Sequence, residues 1–167
     1  MTPGPEYTFG GDFFSPASGP PLSLDAMFLK VVDYVREDGA CRYNLIIGTD
    51  SFLNTSTLFV TAVIIHRVGR GGRYFYMKRR RKKITNLRQR MFYEATMSVE
   101  LASIIKAKLD DNGLEELPLE IHLDVGGSGS TRDMVKEVVG MVTGSGYPAV
   151  TKPDSYGASK VADRHSK

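Results

Sequence analysis

The sequence has few of the features that mark a secreted or membrane-spanning protein. Cys41 is the only cysteine, which excludes an internal disulfide and a zinc site built from several cysteines. No apolar run approaches the ~20 residues that a membrane span needs. The N-terminus lacks the basic start and apolar block of a secretory signal. We therefore expect a cytoplasmic protein, and 167 residues suit a single domain with its own core.

Acidic residues are absent from one long stretch, although the net charge of the whole chain is only +3. Between Arg67 and Arg90 there are eleven Lys or Arg residues and no Asp or Glu. Such a stretch attracts phosphate backbones through the release of counterions. The alternative is an edge strand whose cations prevent pairing with another sheet. We expect nucleic acid to bind the consecutive block Lys78, Arg79, Arg80, Arg81, Lys82 and Lys83.

Hydrophobic periodicity and turn residues predict one α/β domain over residues 21–167, after a flexible or loosely docked arm over residues 1–20. Three strand patterns joined by short turns come first, as in an antiparallel meander. Strands and helices then alternate, which predicts a mixed five-stranded sheet with helices on both faces. The predicted strands cover residues 44–50, 57–68, 74–84, 119–125 and 147–152, and the predicted helices cover 24–37, 86–109, 131–142 and 155–165.

Two aspartates stand at the polar ends of strand patterns. Asp50 follows the apolar run that begins at Asn44, and Asp124 follows the run that begins at Leu119. If the two strands are neighbours, their carboxylates lie a few ångströms apart, and two buried like charges need a cation, a proton or a basic partner. The alternative is that each Asp caps the loop after its strand. We expect both to bind a divalent metal ion.

The chain resembles a known fold family in several motifs taken together. They are Gly48-Thr49-Asp50-Ser51, the strand pattern over residues 61–67, His122-Leu123-Asp124-Val125-Gly126, and Lys152-Pro153-Asp154-Ser155. With the order of its elements, these motifs make residues 24–167 similar to the ribonuclease H fold, and more narrowly to the little-characterised YkuK-type family of ribonuclease H-like proteins. The resemblance implies that fold and a nuclease-type metal site, and it brings no established substrate.

A third metal ligand is expected from the long helix, where two glutamates compete. Glu94 lies near the centre of the apolar helical stripe that contains Met97 and Leu101, whereas Glu100 lies on its flank. A carboxylate near the start of the helix on that face points towards the strand ends, which favours Glu94. The run that begins at Glu100 resembles the one around the helix glutamate of ribonuclease H itself. We keep both as catalytic candidates.

The fourth carboxylate is also divided between two residues. Asp163 lies in the last predicted helix, as the fourth carboxylate does in the ribonuclease H proteins that the chain resembles. Asp154 precedes that helix within the family's Lys-Pro-Asp-Ser motif. Asp154 is equally suited to cap the helix, and Asp163 to be surface charge. One of the two is sufficient to complete the site.

The glycine-rich stretch over residues 123–131 supports a different hypothesis. It resembles the Asp-x-Gly-Gly-Gly-Thr phosphate turn of actin-like and sugar-kinase ATPases, in which backbone amides surround the phosphates. Those ATPases bind the nucleotide between two domains, and this chain has room for one. A glycine-rich turn before a helix can still bind a phosphate at the helix N-terminus.

Together these features predict a metal-dependent nuclease that hydrolyses phosphodiester bonds in RNA, DNA or a hybrid of the two. Two Mg²⁺ or Mn²⁺ ions are expected in a carboxylate site, because these ions prefer oxygen ligands and pairs of them assist phosphoryl transfer. The main alternative is a non-catalytic nucleic-acid-binding module on the same fold. An ATPase-like protein or a small-molecule phosphatase is a further alternative.

Overall fold

The computed structural model describes residues 11–17, 19–126 and 131–166, and for residues 156, 158 and 159 it describes the backbone alone. Over these residues the chain forms four helices and five strands. The helices are α1 (Leu24–Glu37), α2 (Leu87–Asp111), α3 (Arg132–Gly144) and α4 (Tyr156–Arg164). The strands are β1 (Tyr43–Leu53), β2 (Thr57–Arg67), β3 (Gly72–Arg81), β4 (Leu119–His122) and β5 (Ala149–Val150).

The five strands form one mixed sheet in the order β3-β2-β1-β4-β5. The first three are antiparallel neighbours, as the short turns between them predict. β4 runs parallel to β1, and β5 runs parallel to β4. The polar ends of β1 and β4 therefore meet at the same end of the sheet. The predicted mixed sheet with helices on both faces is confirmed.

Helices cover the two faces of the sheet. α2 packs on the face that contains Thr49, where the Ser98 side chain lies 2.8 Å from the Thr49 hydroxyl. α4 packs on the opposite face, where Ala162 contacts Leu58 and Val60. The main core lies between the sheet and the apolar stripes of α1, α2 and α3. Its fully buried members include Met27, Leu45, Ile47, Ile65, Leu101, Ile105, Leu109, Ile121 and Val142.

The turn between β2 and β3 depends on glycine. Gly69 and Gly71 adopt positive φ angles of 78° and 82°, which other residues rarely tolerate. A Cβ atom at Gly72 would lie only 2.6 Å from the Ile65 carbonyl oxygen, so a side chain there has no room. The glycine cluster therefore fixes the close return of β3 along β2.

The described part of the predicted N-terminal arm lies against the domain. Phe13 exchanges backbone hydrogen bonds of 2.8 Å with Leu22, and its ring is fully buried. Phe14 pairs through its backbone with Tyr76 of β3. The domain boundary at residue 20 stays a prediction, and residues 1–10 lie outside the described part of the chain. No helix in the described ranges is long and apolar enough to cross a membrane.

Candidate active site

Asp50 and Asp124 come together where β1 and β4 end. Gly48 of β1 pairs with His122 of β4 in parallel register. Each aspartate lies two residues further along its chain, so both side chains project from the same face of the sheet. Their carboxyl groups are close enough to share a hydrogen bond. The structure therefore brings together the two strand aspartates that the sequence predicts as metal ligands.

The Asp50 carboxyl holds its proton unusually strongly. Burial raises its pKa to about 8, and the hydrogen bond with Asp124 and the charges of Glu94 and Asp124 act in the same direction. The Ser51 backbone N–H donates to Asp50 Oδ1 at 2.9 Å, which lowers the pKa but does not reverse the shift. The protein groups around Asp50 therefore do not stabilise its ionised form enough to offset burial and the neighbouring carboxylates.

Glu94 is the helix carboxylate that lies beside the aspartate pair. Burial raises its pKa to about 7, and the charge of Asp124 adds to that rise. The Ser51 hydroxyl donates to Glu94 Oε1 and, with the charge of Arg90, lowers the pKa in part. Ser51 and Asp50 are consecutive on β1, so their side chains project to opposite faces of the sheet. Ser51 thus donates to two of the three carboxylates, to Asp50 through its backbone N–H and to Glu94 through its hydroxyl.

A buried hydroxyl network holds the middle of α2 against β1. Thr49 Oγ1 lies 2.8 Å from Ser98 Oγ and 3.0 Å from Thr61 Oγ1, and all three side chains are buried. Ser98 follows Glu94 by one helical turn, and Thr49 precedes Ser51 by two strand positions. The Thr49–Ser98 contact therefore joins β1 to α2 next to the Ser51–Glu94 contact, on the same face of the sheet. Its buried polar groups satisfy one another. The network therefore fixes the rotation of α2 that directs Glu94 towards the strand ends.

Lys152 is a site residue to which sequence reasoning assigned no role. Its Nζ lies 2.8 Å from Asp124 Oδ1. The approach is that of an ion pair without hydrogen-bond alignment, so no donor in the described residues satisfies this buried oxygen. The nearby Asp124 carboxylate raises the pKa of Lys152 most, and the charges of Asp50 and Asp163 add to the rise. The signal for Lys152 in the sequence is its place at the start of the Lys-Pro-Asp-Ser motif.

The remaining predicted carboxylates lie in different places. Glu100 lines a separate pocket beside Arg79 and Arg81. Asp163 is exposed on α4, near enough to Lys152 to influence its pKa. Asp154 is exposed, and its backbone N–H bonds to the Thr151 carbonyl at 2.9 Å. The assignments of all these residues as ligands stay predictions.

A complete metal cluster is not preformed in the described part of the chain. Within residues 11–17, 19–126 and 131–166, no three His, Cys, Asp or Glu side chains are grouped so that they could hold a metal ion. Asp50 and Asp124 are in contact, while Glu94 is engaged by Ser51 and Asp124 is engaged by Lys152. The site thus has the donor types of a metal centre, with two of its members bonded to protein partners.

The predicted basic block divides between the two faces of the sheet. Arg79 and Arg81 line a pocket between β3 and α2. Lys78 and Arg80 alternate with them and therefore project to the face covered by α4. Lys82 and Lys83 follow the end of β3 and are exposed. The block thus presents cations on both sides of an outer strand.

The comparisons with known proteins agree with this fold. A model of the family described as "Ribonuclease H-like" matches residues 26–167. The chain belongs to this family. It is also 34% identical over 162 residues to "Uncharacterized protein YkuK" from Bacillus subtilis (strain 168), an alignment that covers 87% of this chain and 92% of the relative. No solved structure matches the chain.

The predicted resemblance to the YkuK-type ribonuclease H-like family is therefore confirmed. Family membership indicates a nuclease or another nucleic-acid-related function, and proteins of this fold generally use divalent metals. The rival phosphate-turn hypothesis depends on residues 127–130, which lie outside the described residues.

Proposed function

We propose that the protein is a divalent-metal-dependent nuclease that hydrolyses phosphodiester bonds in nucleic acid. The observation that carries this proposal is the contact between the Asp50 and Asp124 carboxyls, with Glu94 beside them. Three carboxylates whose mutual repulsion and burial raise the pKa of two of them form a site that a cation would stabilise. A purely structural cluster would gain nothing from keeping this negative charge.

The donor set suits Mg²⁺ or Mn²⁺. Both ions prefer carboxylate oxygens, and the buried Asp124 Oδ1 lacks an aligned donor among the described residues. Asp50, Asp124 and Glu94 would hold two such ions, and Asp163 or Asp154 would complete the ligands. When bound, a pair of divalent ions supplies an activated water and stabilisation of the leaving oxygen in phosphodiester hydrolysis.

Protein groups around the carboxylates have separate tasks in this proposal. The Ser51 hydroxyl holds Glu94 at the site by donating to Oε1. Lys152 offsets part of the charge on Asp124, and its half-exposed ammonium group also attracts a substrate phosphate towards the carboxylates. The outer strand β3 supplies cations to bind the flanking phosphates. The single cysteine suits a reducing, cytoplasmic setting.

A non-catalytic nucleic-acid-binding module is the second candidate, and one observation favours it. Lys152 already provides a cation for Asp124, and the described residues contain no preformed group of three metal-binding side chains. A protein that had lost its chemistry but kept the basic strand would have this arrangement. The two candidates differ in whether adding metal produces cleavage.

The deciding experiment is a cleavage panel with and without metal. End-labelled single-stranded RNA, single-stranded DNA, duplex DNA and an RNA–DNA hybrid are incubated with Mg²⁺, Mn²⁺ or EDTA, and Asp50→Asn serves as the inactive control. Cleavage with metal that is absent in EDTA and in the control supports the nuclease. Binding without cleavage on every substrate supports the module. Turnover of ATP or of an aryl phosphate monoester, without cleavage of any strand, would replace the nuclease with an ATPase or a phosphatase.

A further inference from the structure

A pocket with a volume of about 430 Å³ lies between β3 and the first turns of α2, apart from the carboxylate pair. Aromatic rings and cations share its lining. Phe92 and Tyr93 come from α2, and Arg79 and Arg81 come from β3, with Gln89 and Thr96 between them. We call this site the aromatic pocket. Its size falls in the range of small-ligand sites.

The aromatic pocket lies near the candidate active site. Ser51, Phe59 and Arg79 lie opposite one another on β1, β2 and β3, so they form one row across the sheet. Neighbouring strands are ~4.8 Å apart, which places the Arg79 backbone about 10 Å from that of Ser51. Ser51 bonds to Glu94, and Tyr93 is the residue before Glu94 on the helix. A ligand in the pocket therefore lies within a few nucleotide lengths of the carboxylates.

The Tyr93 ring of the pocket packs against a buried ring of the sheet. The Tyr93 ring lies 5.1 Å from the Phe59 ring, between centroids, with an interplanar angle of 31°. Phe59 is fully buried, whereas Tyr93 remains 37% exposed. An exposed aromatic ring that packs on a buried one has a fixed orientation, so a ligand can stack on it. A stacked ligand would also cover apolar ring surface that is now exposed to water.

The chemistry of the lining identifies the class of ligand. Arginine guanidinium groups bind phosphate oxygens in pairs of parallel hydrogen bonds and also stack on planar rings. Aromatic side chains stack on bases, and this requires a base that is not already paired within a duplex. Gln89 and the Glu100 carboxylate add hydrogen-bonding groups that a base edge can use. Cations, rings and polar groups in one pocket suit a nucleotide within a strand.

We propose that the aromatic pocket binds an unpaired nucleotide, with its base against Tyr93 and Phe92 and its phosphates at Arg79 and Arg81. This inference rests on the proposed function and adds a substrate class: a single strand, or a strand with an unpaired segment, is bound in preference to a continuous duplex. The stacked base would hold the strand so that a neighbouring phosphodiester reaches the carboxylates.

The test measures binding in EDTA, where metal-dependent hydrolysis stops, by fluorescence anisotropy. The ligands are a short single strand, the same strand made abasic throughout, the blunt duplex, and the free mononucleotide as a competitor. We expect the intact single strand to bind about 5- to 150-fold more tightly than the abasic strand, the range that one stacked base provides. Tyr93→Leu should lose most of that difference, and Tyr93→Phe, which keeps the ring, should retain it.

Equal affinity for the intact and abasic strands would overturn the inference, as would preference for the duplex or equal affinity for the mononucleotide. Because the abasic strand needs no protein variant, it decides the matter even if Tyr93→Leu is unstable. If the protein cleaves a strand but binds the intact and abasic strands equally, the pocket proposal fails and the nuclease proposal stands. Base-dependent binding without cleavage in metal removes the nuclease and leaves the pocket.

Discussion

Lys152 Nζ lies 2.8 Å from Asp124 Oδ1, so an ammonium group stands against one of the two contacting aspartates. The lysine side chain is 55% exposed, which means that solvent screens the pair and that the lysine can leave it at little cost. A divalent ion at the aspartates would compete with Lys152 for the same oxygen. If the proposed metal site exists, the lysine sets how readily metal enters it.

The first prediction is that Lys152→Gln binds Mn²⁺ more tightly. An exposed ion pair is worth at most ~1 kcal/mol, so removing the competitor should improve the dissociation constant by about two- to fivefold. Isothermal titration calorimetry measures this constant. Lys106→Gln is the matched control, because Lys106 also pairs with an aspartate, Asp110, at 3.0 Å. Weaker binding in Lys152→Gln would show that the lysine supports the metal site instead of competing for it.

The second prediction concerns Asp50→Asn. We expect the variant to lose Mn²⁺ binding and any cleavage, because it removes a charged ligand from the contacting pair. Without metal its stability should hold or rise, since repulsion with Asp124 and Glu94 is relieved. Each kcal/mol gained raises the melting temperature of a domain this size by roughly 2–4 °C. Asp33→Asn, an exposed change on α1, is the control. Unchanged metal affinity in Asp50→Asn would remove Asp50 from the site.

The third prediction is a pH dependence of the metal-free protein. The pKa of Asp50 is raised to about 8 and that of Glu94 to about 7, whereas Asp and Glu in unfolded chains titrate at about 3.9 and 4.3. The folded state therefore keeps protons that the unfolded state has released. The stability these groups contribute is complete below about pH 4 and is lost as the pH rises through the two folded values.

The measurement is the free energy of unfolding in EDTA, from urea titrations at several pH values between about 5 and 9. We expect it to fall across this range, with a smaller fall in Asp50→Asn, which has lost the larger of the two shifts. Saturating Mn²⁺ should offset the fall, because it binds the ionised carboxylates of the folded state. A free energy of unfolding that rises steadily with pH would contradict the raised pKa values.

Much of the fold was readable from the sequence because its strands and helices carry strong local patterns. The bounds of α1 match the prediction, and Ser23, the residue before the helix, caps it by accepting a hydrogen bond from the Ala26 N–H at 3.1 Å. The later strands are shorter than predicted. β4 ends at His122, and its outer neighbour β5 contains only Ala149 and Val150. Beyond the ladder the two segments stay joined by single backbone hydrogen bonds, from the Leu123 N–H to the Val150 carbonyl at 2.8 Å and from the Lys152 N–H to the Val125 carbonyl at 3.0 Å.

The candidate site was only partly predictable, and the reasons are geometric. Strand alternation and parallel register bring Asp50 and Asp124 together, and the strand patterns combined with the family resemblance predicted the pair. The apolar stripe of α2 favours Glu94 over Glu100, but deciding between them requires the rotation of α2 against the sheet, which the buried Thr49–Ser98 contact fixes. Lys152 reaches Asp124 from the segment after β5, across a connection whose course depends on tertiary packing.

The fourth prediction separates the two glutamates. Glu94→Gln should reduce cleavage far more than Glu100→Gln, because Glu94 lies with the aspartates and Glu100 lines the aromatic pocket. A lost metal ligand should lower activity by at least about tenfold, to judge from substitutions around other metal sites. Glu100→Gln should instead change strand affinity, since it removes a negative charge beside Arg79 and Arg81. The reverse ranking would show that the ribonuclease H-like run around Glu100 was the better guide.

The last prediction tests whether the basic block of β3 binds phosphates or only protects a sheet edge. Among the residues that the structure describes, β3 is the outer strand on its side, and Phe14 pairs with it at Tyr76, before the block begins. Edge protection is therefore a sufficient reason for cations there. Phosphate binding differs from it in one measurable respect, because each phosphate contact releases counterions and makes affinity depend on salt.

Two matched double variants exploit the alternation of the strand. Arg79→Gln with Arg81→Gln removes the cations of the aromatic pocket, and Lys78→Gln with Arg80→Gln removes the same charge from the opposite face. For a single strand, the magnitude of the slope of log affinity against log salt should fall by about 0.7 per lost contact, so by about 1.4 in the first variant. The second variant should change it less.

Because neighbouring side chains on a strand project to opposite faces, replacing Arg79, Arg80 and Arg81 together should remove only one or two contacts. If the wild-type protein binds no strand, or if neither double variant alters the slope, the block serves only as edge protection. The nuclease proposal would then rest on Asp50, Asp124 and Glu94 alone. A small-molecule phosphatase, which needs the carboxylates and their metal but no extended basic surface, would become the better explanation of the site.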